Sequence, residues 1–459
     1  MPRASFTFLN HASFMLRSDG ALLLSDPWLE GGVLDGAWGL VDNATSHAAL
    51  IEQLNAAGVP VYIWCSRAQP DRCSLPFLQR FRNEFRGIAT FLYRPGRDMR
   101  ICNALRRLRL PVAQCPDGQT VGLAGGLRLT AFANSDGDSI TLIHCGGRNI
   151  LNLGERALPT LAACQAAAPR IARIAPRIDL LLTGFGSMGW CGNPEGYLVR
   201  EAAATAAVER LATQIERLRP RLVVPIASFA RFTRADNAWL NGGRLAPKEL
   251  LELARLDGVR NLVRFLKPGA SIDLQRDTPG TLALQHGATL EHWSACWRQR
   301  PPPLPRPPQA SVGELKTAFS RYRERINESV HALPWLLEAA GLLRPLLVYL
   351  PDLRQSVELS YRRGFHLLPH EPGPNGAHLA MFSGTALQLL RAEDGFDTVY
   401  AGGCFWTLRH SGLSTFGRFF LPQRMAGRGA DRRRPLAMGG YLWRALVGRV
   451  SRQLQAALR

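Results

Sequence analysis

Lysine is nearly absent from this chain. Lys248, Lys267 and Lys316 are the only lysines among 56 basic residues, so arginine carries most of a formal net charge of +20. A guanidinium stays protonated at any working pH and presents a planar fork of donors. Codon bias accounts for arginine over lysine. It does not account for the excess over 36 acidic residues, which points to an anionic partner. Paired cysteines are also missing: nine cysteines are scattered with no Cys-x-x-Cys. That argues against a disulfide framework and fits a reducing compartment. Long apolar runs are absent as well. The most apolar region, residues 333–350, is broken by Glu338, Arg344 and Pro345, which excludes a transmembrane span. Met1-Pro2-Arg3 leads straight into Ser5-Phe6-Thr7-Phe8-Leu9 with no signal-type segment, so a cytoplasmic location is expected. No reader motif or aromatic–basic interleaving supports nucleic-acid binding beyond charge.

What is present is enough chain for two or three domains, with 459 residues, 46% hydrophobic and 20% charged. The organising stretch is residues 61–77. Val61-Tyr62-Ile63-Trp64 reads as a buried strand, residues 66–74 as a polar loop, and Leu75, Leu78, Phe81 and Phe85 as one face of a helix. A loop between a rigid strand and a rigid helix is where α/β proteins usually place chemistry. Before it, residues 5–25 predict three short strands with a turn at Ser18-Asp19-Gly20. Residues 31–45 read as a glycine- and tryptophan-bearing loop, either a lid or a packed surface loop, and residues 47–57 as a helix. Residues 119–152 predict hairpins, 178–184 a buried strand, 195–218 a long helix and 222–225 another strand.

The loop Ser66-Arg67-Ala68-Gln69-Pro70-Asp71-Arg72 resembles the Ser-His-x-His-x-Asp-His signature of the metallo-β-lactamase fold, with Ser66 and Asp71 matching. Asn10-His11-Ala12-Ser13, Leu24-Ser25-Asp26-Pro27-Trp28, Asn152-Leu153-Gly154-Glu155 and residues 178–192 and 227–241 are also similar to that family. They look closest to the branch of CMP-N-acetylneuraminate hydroxylases and ascorbate-phosphate lactonase-type hydrolases. The resemblance implies an αββα sandwich over residues 1–300. In the family the histidines hold one or two metal ions that activate water. Arg67, Gln69 and Arg72 stand in their places, and arginine cannot ligate a metal.

Pro301-Pro302-Pro303-Leu304-Pro305-Arg306-Pro307-Pro308 predicts an extended spacer over residues 301–310. Residues 311–459 then read as a smaller α+β domain: helical over 312–350, with strands at 357–359 and 397–400. His366 and His370 are four apart, but Pro369 argues against one helical metal face. Arg424, Arg428, Arg432, Arg433, Arg434 and Arg444 begin a basic amphipathic end, suited to an acidic protein or membrane surface, or to packing on its own domain.

The resemblance places Arg67, Gln69, Asp71, Arg72 and Glu155 in one pocket, with Trp190 and Asn241 as walls. No catalytic residue is assigned. The primary reading is a non-metal pseudoenzyme, or a protein binding an anionic small molecule through a phosphate or carboxylate, with no cofactor. Two alternatives stay open. One is a zinc- or iron-dependent hydrolase or oxygenase acting on a phosphorylated or nucleotide-linked sugar-type substrate, with improvised ligands His11, Asp71, His144 and Glu155, or Cys65 and Cys73. The other is a partner-binding scaffold.

Overall fold

The computed structural model describes residues 4–96, 98–134, 139–186, 188–368 and 376–427. Strands β1 (Ser5–Asn10), β2 (Ser13–Ser18) and β3 (Ala21–Ser25) form the expected meander, with Phe8 opposite Phe14 and Phe14 opposite Ser25. After the short β4 (Trp38–Leu40), α1 (His47–Ala56) starts at Ser46, whose hydroxyl accepts from the Ala49 N–H. β5 (Val61–Cys65) runs parallel to β3 and feeds α2 (Leu75–Glu84), whose first turn is set by the Ser74 cap and a proline. β6 (Ala89–Tyr93), α3 (Arg100–Arg107) and β7 (Val112–Gln114) follow. The hairpin region holds β8 (Thr120–Gly122), β9 (Arg128–Ala133), β10 (Ser139–Cys145) and β11 (Arg148–Asn152). Then come α4 (Leu161–Ala172), β12 (Leu180–Thr183), α5 (Tyr197–Leu218), β13 (Leu222–Pro225) and β14 (Ala230–Phe232). α6 (Pro247–Glu252), β15 (Ser271–Asp273) and α7 (Pro279–Arg298) close this part.

These strands build a seven-stranded sheet, β15-β1-β2-β3-β5-β6-β7, and a six-stranded sheet, β13-β12-β11-β10-β9-β8. The period-two alternation of each strand decides which side chains meet. Phe6, Phe8, Phe14, Leu16, Leu23 and Trp64 point inward and pack with Leu129, Leu142, Ile150, Leu181 and Val223 of the facing sheet. Their neighbours Met15, Leu22, Leu24, Val61 and Ile63 point outward, under Leu50, Phe77, Phe81 and Leu105 of α1, α2 and α3. Cys164 and Ile171 of α4 and Leu211 and Ile215 of α5 join the core from the other side. The layers are therefore helix, sheet, sheet, helix.

A second apolar core lies further along the chain, in α8 (Val312–Val330), α9 (Leu333–Ala339), β16 (Leu346–Leu350), β17 (Gln355–Ser360), β18 (Gly364–Leu367), β19 (Leu379–Ala380), α10 (Ser383–Arg391), α11 (Gly395–Gly402) and β20 (Trp406–Thr407). Its sheet runs β18-β17-β16-β19-β20. Here the sequence misleads in two places. Leu346–Leu350, expected to continue the helix, is a central strand; a five-residue apolar run carries no period that separates the two. Residues 397–400, expected as a strand, lie in α11, where Phe396 and Val399 share the buried face. The proline stretch is not free-standing. The Leu304 N–H donates to the Thr233 carbonyl and its carbonyl accepts from the Ala235 N–H, at 2.7 and 3.0 Å. The 31–45 segment is packed and carries a strand, since Trp38 lies edge-on to Phe232 and β4 pairs with β14. His366 bonds the Arg363 carbonyl. His370 and the basic end from Arg428 onward lie outside the described residues. Among the described residues no helix is long and apolar enough to cross a membrane.

Candidate functional site

The loops that follow β1, β3, β5, β11, β12 and β13 converge at one edge of the sandwich. Asp26, at the end of β3, is buried, and its carboxylate accepts from the Ser66 N–H at 2.8 Å and the Ser66 hydroxyl at 2.6 Å. That pair of bonds locks the loop after β5 to β3. In the same loop the Gln69 carbonyl accepts from the N–H groups of Arg72 and Cys73, which closes the turn. The turn aims Arg72 inward: its Nε lies 3.0 Å from Asp71 Oδ2 and its Nη1 3.7 Å from Asp26 Oδ2. From β1, His11 places Nε2 3.6 Å from Asp71 Oδ2, with its ring edge-on to Trp28. The backbone is strained where these segments meet. His11, Asp26 and Ala227 all have positive φ, and the Ala227 N–H donates to the His11 carbonyl at 2.7 Å.

The second sheet supplies Glu155. Its Oε1 accepts from the Met188 N–H at 2.7 Å and faces Arg156 Nε at 3.4 Å. A Cβ at Gly184 would sit 2.9 Å from the Glu155 backbone, so the β12 loop approaches this closely only because residue 184 has no side chain. The Ser228 hydroxyl accepts from the Phe185 and Gly186 N–H groups, tying in the loop after β13. Two further arginines brace these loops. Arg210 donates to the Gly186 carbonyl and Arg244 to the Ser228 carbonyl, at 3.0 and 2.8 Å. The Nε atoms of both are buried without a hydrogen-bond partner among the described residues.

Electrostatics follow from this crowding. Burial pushes the Asp26 carboxyl up to about 6, against the pull of Arg72 and the Ser66 hydrogen bonds. Burial also opposes ionisation of Asp71, but His11, Arg72 and Arg67 outweigh it and hold that carboxyl well below the usual range. Glu155 is lowered in the same way, its burial overcome by Arg156, the Met188 N–H, Arg67 and Arg72. Desolvation lowers His11, against the pull of Asp71, and brings Arg244 down to about 10.

The structure thus brings together Arg67, Asp71, Arg72, Glu155 and His11, with Gln69 contributing through its main chain. It separates the others. Asn241 spends its amide on the Phe232 N–H, the Phe232 carbonyl and the Ala238 carbonyl, so it braces a turn rather than lining a pocket. Trp190 stacks on Phe405 at 5.5 Å and packs against the second core. His144 pairs with Asn149, at the opposite end of β10 from the Thr141–Asn152 rung, about 10 Å along the strand. It therefore cannot share a metal with Asp71. Sequence reasoning missed Arg156, Arg210 and Arg244. Arg156 adjoins Glu155 and was readable; the other two lie far along the chain and carry no local signal.

The donor set at this edge does not fit a metal of the kind the sequence resemblance implies. A guanidinium that cannot deprotonate sits against both Asp71 and Asp26, where a divalent cation would have to bind. Among the described residues, the imidazole in contact with these acids is that of His11.

A seven- and a six-stranded sheet face each other under outer helices, with strand-end loops meeting at one edge. The fold is an αββα sandwich. No protein-family model and no curated protein matches the chain. Solved structures with a related course include zinc-bound PqqB from Methylobacterium extorquens, at 14% identity and TM-score 0.35, covering 57% of this chain and 86% of that one. YhfI from Bacillus subtilis, described as a metallo-β-lactamase-fold protein, is 10% identical at TM-score 0.35, covering 59% and 99%. The short form of human tRNase Z is 10% identical at TM-score 0.31, also covering 59% and 99%. These likenesses are too distant to carry function.

Proposed function

We propose that the sandwich edge is a metal-free anion site and that the chain is a pseudoenzyme binding a small molecule through a phosphate or carboxylate. One observation carries this reading. Arg67, Arg72, Arg156, Arg210 and Arg244 act on the three buried acids Asp26, Asp71 and Glu155, which leaves the edge with surplus positive charge. Guanidinium forks match the two-oxygen geometry of phosphate and carboxylate. The unpartnered Nε atoms of Arg210 and Arg244 supply donors that an anion would satisfy.

Thermal unfolding of chelator-treated protein tests this. Inorganic phosphate at about 100 times its dissociation constant stabilises by about 2.7 kcal/mol, raising the midpoint. Arg244→Gln reduces that protection. Protection that needs added zinc, or that sodium chloride of equal ionic strength reproduces, overturns the reading.

A second reading, hydrolysis with improvised ligands, draws on the buried and unpartnered Nδ1 of His11 and Oδ1 of Asp71. Metal-dependent phosphatase or lactonase activity that disappears in His11→Gln would favour it.

A further inference from the structure

A different cluster lies outside the arginine-lined edge. On α7, His292 and Cys296 are one helical turn apart and share a face. Asp42, beyond β4, meets them: His292 Nε2 is 2.7 Å from Asp42 Oδ2, and Cys296 Sγ is 3.8 Å from His292 Nε2. One ligand atom from each lies within 4.8 Å of the others. Asp42 is fixed in place, its Oδ1 accepting from the Ala44 N–H and its carbonyl from Asn10 Nδ2, both at 2.8 Å. Arg231 pins the two ligand-bearing segments together by donating to the Val41 and Cys296 carbonyls at 3.2 and 2.8 Å.

We propose that Asp42, His292 and Cys296 form a zinc site with three protein ligands and a fourth position open to solvent. One thiolate, one imidazole and one carboxylate is a borderline-soft donor set that selects zinc over magnesium or calcium. With bonds of about 2.3 Å to sulfur and about 2.0–2.1 Å to nitrogen and oxygen, tetrahedral donors sit about 3.3–3.6 Å apart. The sulfur–nitrogen separation is already close to that. The His292–Asp42 hydrogen bond opens by about half an ångström, a small side-chain rotation. Binding releases the Cys296 thiol proton to solvent, shifts the His292 ring hydrogen from Nε2 through solvent to Nδ1, and replaces the Nε2–Asp42 hydrogen bond with one bond from each group to the metal. The His292 side chain is 31% exposed, which leaves a route for entry and for a water in the fourth position. The neighbouring Arg231 spends its guanidinium on the Val41 and Cys296 carbonyls, whereas Arg72 bonds the Asp71 carboxylate directly. This site is independent of the anion reading.

Titration of chelator-stripped full-length protein with cobalt(II) tests it. The expected result is one equivalent bound, with a thiolate-to-cobalt charge-transfer absorption that zinc abolishes. Cys296→Ser loses the absorption, His292→Gln weakens zinc at least about 100-fold, and Cys73→Ser changes neither. Absence of stoichiometric cobalt binding by the folded parent, or an absorption that survives in Cys296→Ser, overturns the proposal. Should Cys296→Ser fail to fold, zinc-edge X-ray absorption of the parent decides. One sulfur with nitrogen and oxygen ligands supports the site; a sulfur-free or all-sulfur shell overturns it.

Discussion

Arg72 does at the sandwich edge what a bound cation would otherwise do: it neutralises carboxylates that are out of water. Its guanidinium touches Asp71 and faces Asp26, and all three side chains are buried. Removing one partner of such a pair leaves a charge stranded, so Arg72→Ala is expected to cost about 3–5 kcal/mol in a denaturant titration. Arg276→Ala is the control. Its side chain is 86% exposed and should change stability by no more than about 0.5 kcal/mol. Asp26 gives a pH test. Its carboxyl, ordinarily at 3.8, titrates near 6 in the folded chain, so the folded state holds the extra proton between those values. Stability from this group is full below the unfolded value and is lost as pH rises through 6; Asp71 and Glu155, lowered on folding, have the opposite sign. Asp26→Asn should therefore gain on the parent between pH 4 and 7.5, by up to about 3 kcal/mol. Urea midpoints at the two pH values measure it. A difference that does not change with pH contradicts the assignment.

At the scale of elements, the close approach of the β11 and β12 loops depends on Gly184. Gly184→Ala drives a methyl group into the Glu155 backbone and should cost about 1–3 kcal/mol, read from the unfolding midpoint. An unchanged midpoint would mean that the loops can part freely. The sequence showed strands β1, β2, β3 and β5 as short apolar runs bounded by turns and polar loops, and α2 through its apolar face. It also showed the loop at residues 66–72, because polar residues interrupt two strongly patterned segments. Asn241 and His144 were misplaced because polarity in a sequence says nothing about whether a side chain turns to a pocket or to its own backbone. Arg210 and Arg244 were invisible because their role exists only once α5 and the segment after β14 close over the strand ends.

Across the whole molecule, polar contacts join the sandwich to the second core, and those of Arg234 are buried. Arg234 pairs with Asp236 at 2.6 Å and donates to Thr385 at 2.7 Å and Gln388 at 3.2 Å. The Thr407 N–H donates to Asn193 Oδ1 at 2.8 Å, and Arg100 reaches Asp397 at 2.8 Å. Scanning calorimetry should show one transition for the parent and two for Arg234→Ala, which strands Asp236 between the cores. Two transitions in the parent would contradict this coupling. The excess positive charge acts at the same scale, raising the local concentration of anions and making their binding weaken with salt. The most direct measurement for the metal-free anion site is isothermal titration of inorganic phosphate into chelator-treated full-length protein, parent and Arg67→Gln, at two ionic strengths. The account predicts one site per chain, weaker at the higher salt and lost in Arg67→Gln. No binding heat, binding that appears only with added zinc, or equal affinity in Arg67→Gln would contradict it.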